Sequence, residues 1–270
     1  MFEKELYLKR IGFVPVPGET RAEQLRRLHL CHSRTIPFED FSPLAGIDVS
    51  TAPEDIFDKV VLHRRGGYCF ELNPLFGELL RSMGYDARPI ICRAISLTGE
   101  VRPLTHCMNL VDLDGETWIC DVGYGNGGWN EPLRLAVGEK QTVGDESYVI
   151  REGSYGWYIV RWQKGELERD AVTFPLAPAL PGDYVIASYY NCTTASSTFT
   201  NNIMCKRPTE DAAYTIRGNL FKITRGEDVE SRILTPDTLE DVLDRYFDIE
   251  LPPRELEAAK DNLRKLAAQA

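Results

Sequence analysis

Arg65-Gly66-Gly67-Tyr68-Cys69-Phe70-Glu71-Leu72-Asn73 places a cysteine just after two glycines and just before an apolar segment of helical spacing. A thiol in that position meets unpaired backbone N–H groups and the positive end of a helix dipole. Both favour the thiolate, the nucleophilic form. Arg64 and Arg65 just upstream can add to that field. The same N–H groups are placed to hold a developing oxyanion. The glycines allow a sharp turn and a close approach of the backbone to another group. The competing reading of Cys69 is a buried structural thiol, a common role for free cysteine.

A base for this nucleophile must come from four histidines: His29, His32, His63 and His106. His106 falls in a hairpin signalled by Asp114-Gly115 between β-like runs at 105–113 and 116–122. Asp-Gly in that setting favours a type I′ turn. The register then pairs Leu113 with Glu116 and Met108 with Asp121. His106 shares a face with Met108. Asp121 becomes its diagonal neighbour, roughly 7–8 Å away between backbones. The other face carries Cys107, Asn109 and Cys120, which disfavours a Cys/His metal cluster. In chain order, Cys69, His106 and Asp121 make a nucleophile, a base and an orienting acid. Such a set performs acyl transfer by covalent catalysis. Periodicity does not bring Cys69 to the hairpin.

The elements that must position these residues change character along the chain. Thr20 and Glu23 form a T-x-x-E capping box that opens a helix over 21–33, with His29 and His32 on or near its inner face. Pro53 and the acids after it open a short helix. The helix after Cys69 runs to Met83, with Gly84 just past its end. Pro74 either kinks it or starts a second helix with Asn73 as cap. From residue 85 the period becomes that of strands: 87–95, the hairpin, and a meander over 147–176. These strands suggest a small antiparallel barrel. The run Gly123-Tyr124-Gly125-Asn126-Gly127-Gly128 opens no helix, so it reads as a loop that lets Tyr124 line a pocket. Prolines over 175–182 mark a boundary. A helix over 183–190, a hydroxyl-rich stretch at 191–200 and short strands at 203–205, 213–216 and 220–224 follow. Thr235-Pro236 is expected to cap a helix, and a last amphipathic helix carries Leu256, Ala259, Leu263 and Leu266.

The chain has 270 residues, 43% hydrophobic, with a net charge of -10. Nucleic acid is disfavoured as a partner, because phosphate backbones need a basic footprint. No stretch approaches the ~20 apolar residues that span a bilayer. The N-terminal residues lack a signal-peptide core, so a cytoplasmic location is expected. Seven cysteines, an odd number without C-x-x-C spacing, disfavour a disulfide framework or a zinc ribbon.

At these residues the sequence resembles the arylamine N-acetyltransferase family. The family signature R-G-G-x-C-x-E-x-N is matched by residues 65–73, T-H by Thr105-His106, and D-x-G-[FY]-G by Asp121-Val122-Gly123-Tyr124-Gly125. Pro37-Phe38-Glu39 and the hydroxyl-rich stretch ending at Phe199 are similar to their family counterparts. The resemblance implies an α+β fold with a cysteine-protease-like core. Its parts are an N-terminal helical bundle (1–84) carrying the nucleophile, an antiparallel β-barrel (85–182) carrying histidine and aspartate, and a C-terminal α/β lid (183–270). It implies ping-pong transfer of acetyl from acetyl-CoA to an arylamine, arylhydroxylamine or hydrazine, without a metal. By position, Cys69 is the nucleophile, His106 the base and Asp121 the orienting acid. Phe38 and Tyr124 would line the acceptor pocket, and Thr193, Thr194 and Ser196 would lie near CoA. Asn73 and Arg65 would support the triad. Two departures stand out: Ala195 where relatives often have proline, and Pro74 where they commonly lack it. The alternatives are another donor such as malonyl- or propionyl-CoA, an amide synthase, an amidohydrolase using the same triad, and a binding module with a decayed site.

Overall fold

The computed structural model describes residues 2–125 and 128–269. Five α-helices among the described residues precede the main sheet: α1 (Lys4–Arg10), α2 (Arg21–Thr35), α3 (Phe41–Leu44), α4 (Pro53–Phe57) and α5 (Cys69–Ser82). The α2 capping box forms: the Glu23 N–H donates to Thr20 Oγ1 at 3.2 Å, and the Thr20 N–H donates to Glu23 Oε2 at 2.8 Å. Leu25, Leu28, His29 and His32 are all buried on one face of α2. α5 is one helix that runs through Pro74, and Gly84 beyond its end takes φ +79°. Asn73 does not cap a second helix, because both ends of its side-chain amide are engaged across the fold.

Eight strands form one antiparallel sheet: β2 (Asp86–Ala94), β3 (His106–Leu113), β4 (Glu116–Cys120), β5 (Leu133–Arg134), β6 (Lys140–Val143), β7 (Glu146–Glu152), β8 (Tyr158–Lys164) and β9 (Leu167–Phe174). Their spatial order is β5-β4-β3-β2-β9-β8-β7-β6. The sheet curls into a nearly closed barrel. Its two edge strands meet through one side chain: Gln141 accepts from the Arg134 N–H at 2.7 Å and donates to the Arg134 carbonyl at 2.8 Å. The hairpin has the expected register at its turn, Leu113 opposite Glu116, with Asp114 and Gly115 both at positive φ. The expected Met108–Asp121 pair does not form. β4 ends at Cys120, because the Asp121 N–H leaves the ladder for His29 Nε2, 3.2 Å away.

The hairpin alternates as its pattern requires. Met108, Leu110 and Ile119 fill the barrel interior, while Cys107, Val111, Trp118 and Cys120 pack against the helices.

The C-terminal part holds α6 (Pro181–Thr193), α7 (Thr198–Asn201), β10 (Met204–Pro208), β11 (Ala213–Arg217), β12 (Leu220–Arg225), β13 (Asp228–Ile233), α8 (Leu239–Val242) and α9 (Pro253–Gln269). A two-residue strand from the N-terminal part, β1 (Phe38–Glu39), pairs with β10 at the edge of this second sheet. Tyr184, Ala187 and Cys192 of α6 pack into the N-terminal helical core, and Phe41 packs into the C-terminal one. The three cores therefore exchange elements across residues 84 and 182. Thr235-Pro236 opens a turn instead of a helix: Thr238 Oγ1 accepts from the Thr235 N–H at 3.0 Å, and α8 starts at Leu239. Strands β1, β5, β6 and β13 lie in segments too short or too polar to show a period of two. Among the described residues no helix is long and apolar enough to cross a membrane.

Candidate active site

Cys69 is the first residue of α5. The glycines before it act by close approach and not by turning, since the positive φ in this segment belongs to Arg64. A Cβ on Gly66 would stand 2.2 Å from the Pro37 carbonyl oxygen, and one on Gly67 would stand 2.9 Å from Glu71 Cβ. The chain therefore lies directly on β1, where the Glu39 N–H donates to the Gly67 carbonyl at 2.9 Å. Gly123 makes the contact that periodicity could not supply. A Cβ there would stand 2.8 Å from Cys69 Cα and 2.8 Å from Asn73 Nδ2. The end of the hairpin thus rests on the first turns of α5.

His106 Nε2 lies 2.6 Å from Asp121 Oδ2. The His106 imidazole and the Cys69 thiol each favour the other's charged form. Asp121 Oδ1 accepts from Asn73 Nδ2 at 2.9 Å and from the Gly123 N–H at 3.0 Å. All three side chains are buried. Burial works against a charged thiol at Cys69, yet hydrogen bonds from Cys107 and His106 and the nearby imidazolium charge lower it to about 6. Burial would also neutralise His106, but the Asp121 charge, with hydrogen bonds to Asp121 and Cys69, raises it to about 10. Burial pushes the Asp121 carboxyl up, and the His106 charge and three hydrogen bonds outweigh it and hold the carboxyl below its usual range. Both shifts favour a thiolate beside an imidazolium.

Arg65 does not face the thiol. Its guanidinium lies between Glu39 Oε1, at 2.8 Å, and Glu255 Oε2, at 2.6 Å. Arg64 reaches Asp248 at 2.5 Å. Lys59 completes this buried network, 2.7 Å from Glu71, whose other oxygen accepts from the Tyr68 N–H at 3.0 Å. Arg65 thus joins the loop before Cys69 to β1 and to α9.

Cys69 and His106 open onto a cavity of about 490 Å³. Phe38, Tyr124 and Phe199 supply aromatic walls, and Gly125 leaves room for the Phe38 ring. Arg102, Arg169 and Arg217 also line it, and no carboxylate does among the described residues. Tyr124 meets His106 edge to face at 5.1 Å and donates to the Ala171 carbonyl at 2.9 Å. Asn126 and Gly127 of the glycine-rich run lie outside the described residues. Ser196 lines the cavity, whereas Thr193 and Thr194 do not. α6 extends through Thr193, whose hydroxyl donates to its own helix at Tyr189.

Sequence reasoning missed two neighbours of the site. His29 accepts the Asp121 N–H and donates through Nδ1 to the Asn130 carbonyl at 2.9 Å. Cys107 donates to the Cys69 carbonyl at 3.2 Å. A helical position on an inner face was the only signal for His29, and nothing in the pattern marked Cys107.

The model of the N-acetyltransferase family matches residues 22–256. An arylamine N-acetyltransferase / N-hydroxyarylamine O-acetyltransferase of Salmonella typhimurium is 33% identical, over 81% of this chain and 77% of its own length. An arylamine N-acetyltransferase of Mycobacterium tuberculosis is 31% identical, over 90% of this chain and 88% of its own length. The solved Salmonella typhimurium enzyme superposes with a TM-score of 0.89 at 28% identity, covering 96% of this chain and 97% of that one. A Mycobacterium marinum arylamine N-acetyltransferase in complex with CoA gives 0.89 at 26% identity, covering 97% and 99%. The chain belongs to the arylamine N-acetyltransferase family.

Proposed function

We propose that this protein moves an acetyl group from acetyl-CoA, through a Cys69 thioester, to the nitrogen of an arylamine, arylhydroxylamine or hydrazine. The observation that carries the reading is Cys69 beside an Asp121-held His106 at one cavity whose charged lining, besides His106, is arginine alone among the described residues. That lining suits a donor with phosphate groups, and the aromatic walls suit a flat acceptor. A relative in complex with CoA supports the same donor.

The Cys69 thiolate attacks the acetyl carbonyl. The sulfur–carbon bond to Cys69 forms as the bond to CoA breaks, and the CoA sulfur leaves with the proton from His106. Backbone N–H groups in the first turn of α5 face the developing oxyanion. The amine then attacks the thioester, and neutral His106 takes its proton as Cys69 leaves as thiolate. Asp121 holds Nε2–H, so Nδ1 is the nitrogen that exchanges the proton. Phe38 and Tyr124 line the acceptor side, and Ser196, with Thr193 and Thr194 behind it in the chain, lies toward CoA.

Intact mass after mixing with acetyl-CoA and no amine tests this, beside a Cys69→Ala control. One acetyl group on the wild type alone is expected, discharged on adding an arylamine. CoA release without an adduct, unaffected by amine, would instead indicate a hydrolase. Neither adduct nor CoA release would sink acetyl-CoA as the donor.

A further inference from the structure

Cys107 lies against the nucleophile from behind. Its Sγ stands 3.2 Å from the Cys69 carbonyl oxygen, and the two thiols influence each other's titration. It is fully buried, paired with Ile91 in the β2–β3 ladder, and its own carbonyl accepts from Asn73 at 2.7 Å. One S–H proton therefore faces two acceptors on a single residue. A neutral thiol sulfur is a weak acceptor, so while Cys69 is neutral the proton stays on the carbonyl. A charged sulfur in a buried site is a far stronger one.

We propose that Cys107 is a positioning residue for the acyl transfer, its S–H turning from the Cys69 carbonyl to the Cys69 sulfur whenever that sulfur carries charge. The inference rests on Cys69 being the nucleophile. Before attack, the donor steadies the thiolate beside His106. In the thioester the sulfur is neutral and the S–H returns to the carbonyl. When the amine takes the acetyl group, the same donor meets the departing thiolate. The proton stays on Cys107 throughout, and burial, which pushes that thiol up, keeps it there.

The other titratable groups around Cys69 are His106 and Asp121 from the hairpin, Cys92 from β2, Tyr68 from the preceding loop and Tyr184 from α6. Burial holds the last three neutral, so His106 and Asp121 supply the charge.

The test is the pH dependence of Cys69 alkylation by iodoacetamide, mapped by peptide mass in the full-length protein. Cys107→Ala is expected to raise the midpoint by about one pH unit. Cys107→Ser keeps a donor and should stay near the wild type. Cys107→Val fills the space without a donor and should follow alanine, which covers the case of an unstable alanine variant. Donor-free variants titrating like the wild type would overturn the proposal. A serine variant shifted as far as alanine would overturn it too. A Cys69→Ala control separates the two readings: if the fast-reacting site survives it, the nucleophile assignment fails, whatever Cys107 does.

Discussion

The backbone N–H of Asp121 points at His29 Nε2, 3.2 Å away, and so a helix near the N-terminus decides where the hairpin ends. Released from the ladder, Asp121 swings its carboxylate onto His106 at 2.6 Å and onto Asn73 at 2.9 Å. His29 is thereby held as a neutral imidazole that accepts at one nitrogen and donates at the other.

That neutrality has a pH signature. Burial, outweighing its hydrogen bonds, lowers His29 from 6.5 to about 4. Between those values the unfolded chain binds a proton that the folded one refuses. His29 therefore favours folding above pH 6.5, and this contribution is lost as pH falls toward 4. The loss at pH 5 is about 2 kcal/mol. Urea unfolding at pH 7 and pH 5 should show it, and His29→Gln should lose less over the same interval. Equal losses in both proteins would remove His29 as the cause.

Asp121→Asn should lower kcat/KM by about 10³–10⁴-fold with the fold retained. The amide oxygen would keep the bonds from Asn73 and Gly123, leaving its NH₂ toward His106 Nε2. That forces the proton onto Nδ1, the nitrogen Cys69 needs free. Single-turnover acetylation should slow, and the alkylation midpoint of Cys69 should rise. An unchanged midpoint would show that the carboxylate does not set the imidazole.

Arg65→Ala should destabilise the protein by about 3–5 kcal/mol, because it leaves Glu39 and Glu255 buried without their shared cation. Arg65→Lys should recover part of this, since one ammonium cannot reproduce the two-sided fork. Denaturant unfolding measures both. A surviving fold whose Cys69 titrates normally would agree with a structural role for Arg65.

Arg102→Ala and Arg217→Ala should each raise KM for acetyl-CoA by about two- to fivefold, an effect that shrinks with added salt. A short acetyl thioester without phosphates should show no change with either variant. Equal effects on both donors would mean that the arginines shape the cavity and do not read charge.

Much of the site was legible in linear sequence, because its determinants are local. A cysteine at a helix start needs only the glycines and the helical spacing after it. The Asp-Gly turn sets the register at the hairpin's tip, where Leu113 does lie opposite Glu116, but the approach of Asp121 to His106 also depends on His29. The motifs from Arg65 to Asn73 and from Asp121 to Gly125 carried the family. The role first assigned to Arg65 was not legible, since its partner Glu255 stands 190 residues away and no short-range pattern links them.

By itself, then, the sequence determined the chemical types, the order of the longer helices and strands, and the hairpin turn that carries His106. These follow from backbone preferences and periodicities that act over a few residues. Only the tertiary structure decided that Gly123 lies on Cys69, that His29 ends the hairpin, that β1 joins the C-terminal sheet and that Cys107 lies behind Cys69. Each of these is a contact between surfaces that packing brings together, and packing depends on the shapes of whole elements at once.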